Sequence, residues 1–194
     1  MRASLRALAL LIVLFLRAMK NIIIILTVCI SGYGIYAWSF LEADASRPVL
    51  AIVTDDSYKQ IPRFVAKAYL EFSDYSLANE EIDGSPSVPY VATGYDLGNF
   101  NNKEILALID RFIQEGADIN AKYEGYSALN GAILANSPGL VEFLLEKGAS
   151  TNIVVQREGL EYCNGLASLE FAICINNLGK ADLSDVIAVL QNKT

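Results

Sequence analysis

Few side chains in this sequence can do covalent or proton-transfer chemistry. Its 194 residues include no histidine, which excludes Ser-His and Cys-His nucleophilic pairs, imidazole bases and imidazole metal ligands together. Carboxylates remain, but Asp55-Asp56 and Glu80-Glu81 are sequence neighbours, and no acidic stretch has the alternating ligand spacing of a calcium loop. They read as solvated surface charge. Of the three cysteines, Cys29 lies in an apolar run, while Cys163 and Cys174 belong to no Cys-x-x-Cys or four-ligand pattern. Gly32-Tyr33-Gly34-Ile35-Tyr36-Ala37 has the glycine spacing of a dinucleotide loop, yet it sits inside the apolar run with no strand before it. The expectation is binding and not catalysis, with no enzyme activity, no cofactor, no metal and no small-molecule substrate.

Charge narrows the choice of partner. The chain carries 15 Lys+Arg and 22 Asp+Glu, a net charge of -7. Arg2, Arg6, Arg17 and Lys20 all precede the apolar run, so 22 acids face 11 bases from Glu42 onward, a net charge of -11. Phosphate backbones and anionic lipid repel such a region, and nucleic-acid binding by counterion release has no electrostatic footing. A basic protein partner is the natural counterpart.

The composition, 53% hydrophobic against 19% charged, points to a membrane segment plus one modest domain. Residues Ile22 to Leu41 run for 20 positions without a charge. At about 1.5 Å per residue they can cross a hydrocarbon core of roughly 30 Å. Ala7 to Leu16 is too short to span, and Met19-Lys20-Asn21 resembles the short basic start of an export signal, an alternative start to Met1. The basic residues before the run and Glu42 and Asp44 after it orient the helix N-terminus in the cytoplasm, in the inner membrane of a bacterium, with the rest outside. Ala43-Asp44-Ala45 has the form of a signal-peptidase site, and Leu26-Thr27-Val28-Cys29 faintly resembles a lipoprotein signal. The length of the run favours an uncleaved anchor over either.

Beyond the anchor, Ile61, Phe64, Val65, Ala68, Tyr69 and Phe72 fall on one face of a predicted amphipathic helix. Ser73 to Asn102 carries Gly84, Pro86, Pro89, Gly94 and Gly98 with little periodicity and reads as a long connection with room for short turns of helix. A second helix places Ile105, Leu108, Ile109, Phe112 and Ile113 on one face and stops at Gly116. The most specific pattern is internal repetition. Ile109-Asp110-Arg111-Phe112-Ile113-Gln114-Glu115-Gly116-Ala117-Asp118-Ile119-Asn120 recurs 32 residues later as Val141-Glu142-Phe143-Leu144-Leu145-Glu146-Lys147-Gly148-Ala149-Ser150-Thr151-Asn152. Gly125 to Ile133 echoes Gly165 to Ile173 at a displacement of 40.

These residues resemble the ankyrin repeat family, whose unit reads Gly-x-Thr-Pro-Leu-His-x-Ala followed by a helix ending Leu-Leu-x-x-Gly-Ala-x-x-Asn. The resemblance covers about Lys103 to Leu190 and is strongest from Gly125 to Asn152. Ser127-Ala128-Leu129-Asn130 stands where the family has Thr-Pro-Leu-His, which alters the usual hydroxyl-imidazole contact of the turn. The last interval exceeds the family period of 33, with the surplus expected in Ile153 to Asn164. The implied fold is all-α: an ankyrin-like stack of helix pairs, two to three repeats plus an N-terminal capping helix, behind a single transmembrane helix.

The organisation expected is a basic and apolar segment (1–21), a transmembrane anchor (22–41), a linker with the capping helix (42–102) and the repeat domain (103–194). Ile109, Phe112, Ile113, Leu129, Ala132, Val141, Leu144, Leu145, Leu169, Ala172 and Ile187 should form its core. In the family, the turns and first helices bind other proteins. By resemblance, Tyr123, Glu124, Tyr126, Asn130 and Leu134 are partner-facing, with Arg157, Glu158, Glu161 and Tyr162 of the long loop as a second patch. Cys163 and Cys174 are either bridged or packed as thiols. The match of Cys174 to Leu134, read as an interior helix site, favours the thiol. The layout is similar to that of immunity proteins that neutralise secreted toxins; the alternative is an adaptor for an envelope complex.

Overall fold

In the computed structural model, residues 2–54, 61–73, 78, 81–159, 162–179 and 181–193 are described, save the side chains of 2–18, 21 and 25. Asp55, Asp56, Glu80 and Glu161, singled out above, lie outside the described residues. The first element, α1, is one continuous helix, Arg2–Glu42. Its segment Ile22–Glu42 is long and apolar enough to cross a membrane. Ile22, Ile24, Val28, Ile30 and Ile35 of this segment are all exposed, while Ala37 and Leu41 are buried; so many exposed apolar side chains on one helix suit lipid. Tyr33, Tyr36 and Phe40 succeed one another at ring separations of 6.4 and 6.1 Å, the amphipathic grouping common at a membrane interface.

The chain divides into two compact units, Met1–Ala43 and Asp44–Thr194. In the second, four successive helix pairs follow among the described residues: α2 (Ser46–Val53) with α3 (Arg63–Phe72), α4 (Ser87–Ala92) with α5 (Asn102–Gln114), α6 (Ala128–Leu134) with α7 (Pro138–Glu146), and α8 (Ser168–Asn177) with α9 (Ser184–Lys193). Each pair packs internally and on its neighbour: α2 on α5, α4 on α6, α6 on α8 and α7 on α9. The fold is therefore mostly helical. Its few strands form two antiparallel hairpins, β1 (Glu81–Ile82) with β2 (Ser85–Pro86) and β3 (Lys122–Tyr123) with β4 (Tyr126–Ser127). Within the stretch Ser73 to Asn102, read above as a connection, lie the β1-β2 hairpin and the short α4. Residues 42–102 also hold α2 and α3.

Local chemistry explains the helix ends. Gly148 has φ +93°, its N–H reaches the Leu145 carbonyl at 3.1 Å, and the next N–H, from Ala149, reaches Leu144 at 2.9 Å. Gly116 and Ala117 close α5 in the same way onto Ile113 and Phe112. The repeated Gly-Ala is thus a left-handed stop whose second residue turns back into the stack. Asn136, φ +53°, ends α6 by the same geometry. At the other end of α6, Ser127 and Asn130 form a reciprocal capping box. The fully buried Asn130 also donates from Nδ2 to Ser168 Oγ of the next pair at 3.3 Å. The amide takes over a bridging role between pairs, and Asn130 is not partner-facing.

The core holds Ile105, Ile109, Phe112, Leu129, Ala132, Ile133, Leu140, Val141, Leu144, Phe171, Ala172, Val186 and Leu190. Ile113, Leu145, Leu169 and Ile187, expected inside, are only half-buried, because each neighbours a residue whose side chain points more squarely at the adjoining pair. On α3 the buried face is Ala66, Tyr69 and Leu70, while Phe64 and Phe72 are 73% and 77% exposed. The helix carries two apolar stripes, and the one with Phe64 and Phe72 faces outward. Cys163 and Cys174 are disulfide-bonded, Cα atoms 5.9 Å apart. Cys174 is half-buried and the matching Leu134 is 40% exposed, so that position lies at the surface, where a bridge is sterically open.

On α4, Tyr90 Oη donates to Asp83 Oδ2 in the β1-β2 turn at 3.0 Å. Burial, and then the Asp83 carboxylate, push the phenol up to about 12 from an ordinary 10.0. Because the folded value is the higher, the unfolded chain loses its proton first as pH rises, and this stabilisation is full below pH 10 and disappears towards pH 12. Melting temperatures followed by circular dichroism should fall over that interval, and Tyr90→Phe should shrink the fall.

Candidate functional site

The β3-β4 turn is Glu124-Gly125, with φ of +47° and +85°. Two successive left-handed residues give the tight turn that matches strand twist. It pairs Tyr123 with Tyr126 across the hairpin. The Gly125 carbonyl accepts from the Gln156 N–H at 3.0 Å, and a Cβ on Gly125 would lie 1.9 Å from the Gln156 carbonyl oxygen. The long loop therefore runs hard against the turn. It is held there by bonds between Val155 and both Gly165 and Leu166, and from the Arg157 N–H to Asn164 Oδ1 at 3.0 Å.

That approach brings the Arg157 guanidinium 3.5 Å from Glu124 and 5.3 Å over the Tyr126 ring, with Phe171 6.1 Å beyond Tyr126. In front of this cluster lies a cavity of about 420 Å³. Buried Pro89, Ala92, Ala128, Ala132 and Leu140 make its floor, and Tyr95, Tyr123, Tyr126, Leu134, Glu124 and Arg157 its rim. Small floor residues leave room for an incoming side chain, and tyrosine rims give large contact area at low entropic cost. Burial raises the Tyr95 phenol, which keeps it a neutral hydroxyl. The Ser127 hydroxyl donates to Asn130 Oδ1 at 2.8 Å and is committed to the cap. Among the described residues no cluster of Cys, Asp and Glu is arranged to hold a metal ion.

Of the residues selected from sequence, Tyr123, Glu124, Tyr126, Leu134 and Arg157 meet at this one cavity, joining two patches expected to be separate. Glu158 and Tyr162 are exposed but do not line it. Asn130 is buried beneath it, and Glu161 lies outside the described residues. Sequence reasoning missed the wall from α4 and the turn after it, namely Pro89, Ala92, Thr93 and Tyr95. A signal existed: Asp83-Gly84 precedes α4 as Glu124-Gly125 precedes α6, 41 residues later, and both turns have two left-handed residues. Pro86 stands where Ser127 caps α6, which hid the likeness. Compared with protein-family models and with curated protein sequences, the chain matches none.

Proposed function

We propose that this chain is a membrane-anchored, ankyrin-like protein-binding module that faces away from the cytoplasm and takes a basic protein partner in the groove before Tyr126. The tyrosine-rimmed apolar cavity carries the reading: it is built from hairpin and first-helix residues, it holds no catalytic pairing, and it sits on a region of net charge -11. The Cys163–Cys174 disulfide supports the outward orientation, since such bridges persist in oxidising compartments. A small, anchored, acidic binder of this kind suits inhibition of a secreted toxin; an envelope adaptor is the competing role.

Gly131 gives a clean test, because it lines the cavity and a Cβ there would meet nothing within 4 Å. Gly131→Leu should fill the groove without lowering the melting temperature, since leucine is the better helix former within α6. Partner recovery from native membranes should drop at least about tenfold, the effect of losing roughly 1.4 kcal/mol. Tyr126→Ala should act mainly on the off-rate. Undiminished recovery with Gly131→Leu would place the interface elsewhere. A recovered partner that does no harm to cells lacking this protein favours the adaptor.

A further inference from the structure

Among the described residues of the second unit, the outward stripe of α3 carries two of the most exposed apolar side chains. Phe64 and Phe72 are 73% and 77% exposed, with Ala68 between them at helical spacing, and their rings stand about 12 Å apart along the axis. At 150–250 Å² per aromatic side chain, the two rings expose roughly 300 Å². A stable dimer needs about 800 Å² per partner, so a second copy of this chain is a poor occupant.

Chain connectivity points to another. The candidate span ends at Glu42 and α2 begins at Ser46, four residues that reach at most about 14 Å. Arg63, at the start of α3, donates from Nη2 to the Thr54 carbonyl at the end of α2, at 3.2 Å. The two helices are therefore antiparallel, and Phe72 lies at the same end as Ser46. On the flank of the stripe Lys67 is half-exposed, its ammonium paired with Glu104 of α5 at 2.6 Å, so no unpaired charge sits on the stripe's edge there. We infer that α3 is an in-plane membrane contact, its Phe64–Phe72 stripe seated in the headgroup boundary of the leaflet from which α1 emerges. This rests on the reading of α1 as a span. The contact is apolar in origin, so neutral phosphatidylcholine serves where anionic lipid would repel the acidic domain.

Trp38 is the sole tryptophan, which lets one experiment separate the two readings. The full chain is placed in phosphatidylcholine nanodiscs with or without bromine on the upper acyl chain. Wild-type Trp38 emission should be quenched if α1 spans. In the Trp38→Phe background, Phe72→Trp and Phe64→Trp should each lose at least about half their emission, as expected for rings 5–10 Å into the boundary. Tyr162→Trp, on the exposed loop, should lose none. Full emission from position 72 beside a quenched Trp38 overturns the contact and leaves the span intact. An unquenched Trp38 overturns both. Protection of position 72 only when two chains share a disc assigns the stripe to self-association and likewise overturns the lipid contact.

Discussion

Gly125→Ala should be among the most damaging single-methyl changes in the molecule, costing at least about 3 kcal/mol of unfolding free energy. Two costs add. An L-residue at φ +85° is left-handed, worth about 1–2 kcal/mol. The new Cβ would also meet the Gln156 carbonyl at 1.9 Å, and no side chain is there to swing aside, since both atoms belong to backbone. Relief requires lifting Val155 to Arg157 off the hairpin, which breaks the Gln156–Gly125 bond and uncouples Arg157 from Glu124 and Tyr126. Gly84, at φ +74° in the equivalent turn, has nothing within 4 Å of its would-be Cβ. Gly84→Ala should therefore cost only the left-handed share, about 1–2 kcal/mol. Urea titrations of the two variants check the argument; equal losses would mean that the loop does not press on the turn.

How much of this was legible in the sequence follows from which forces are local. The helix stops at Gly116 and Gly148 could be read because a left-handed residue followed by a small apolar one is a requirement of one short segment. The groove's hairpin residues were legible for the same reason. The α4–α5 pair was not, because its cap is Pro86 and α4 runs only from Ser87 to Ala92. Such a helix is too short to show a period, and Pro86 before it and Pro89 within it read as breaks. The facing of α3 was misjudged for a different reason: periodicity reports that a stripe exists, and where two stripes compete it cannot say which one meets α2 and α5. The half-buried state of Ile113 and Leu145 is also a tertiary outcome, decided by which of two adjacent apolar residues meets the neighbouring pair.

The candidate site shows the same division. Tyr123, Glu124, Tyr126 and Leu134 follow from one repeat, whereas Arg157 reaches them only through the bonds of Gln156 to Gly125 and of Arg157 to Asn164. No spacing rule encodes that return of the chain. Asn130 illustrates the opposite error. A polar residue on a first helix looks available to a partner, yet its Oδ1 accepts twice from Ser127 and its Nδ2 donates to Ser168, and an amide so satisfied is cheap to bury.

The stack predicts unequal fates for two adjacent leucines. Leu144 is fully buried and its carbonyl accepts the Ala149 N–H that turns the chain out of α7. Leu145 is half-buried. Leu144→Ala should cost about 2–5 kcal/mol, the loss of a buried leucine plus the cavity left behind, whereas Leu145→Ala should cost less than half as much. Because α7 packs on α9 and α6 on α8, and each pair of a repeat array draws stability from its neighbours, the damage should not stay in α7. Amide exchange in Leu144→Ala should accelerate through Val186 and Leu190 of α9, while Ala66 and Leu70 on α3, two pairs away, change least. Equal acceleration at both ends would mean that the second unit unfolds as one block and not as a chain of coupled pairs.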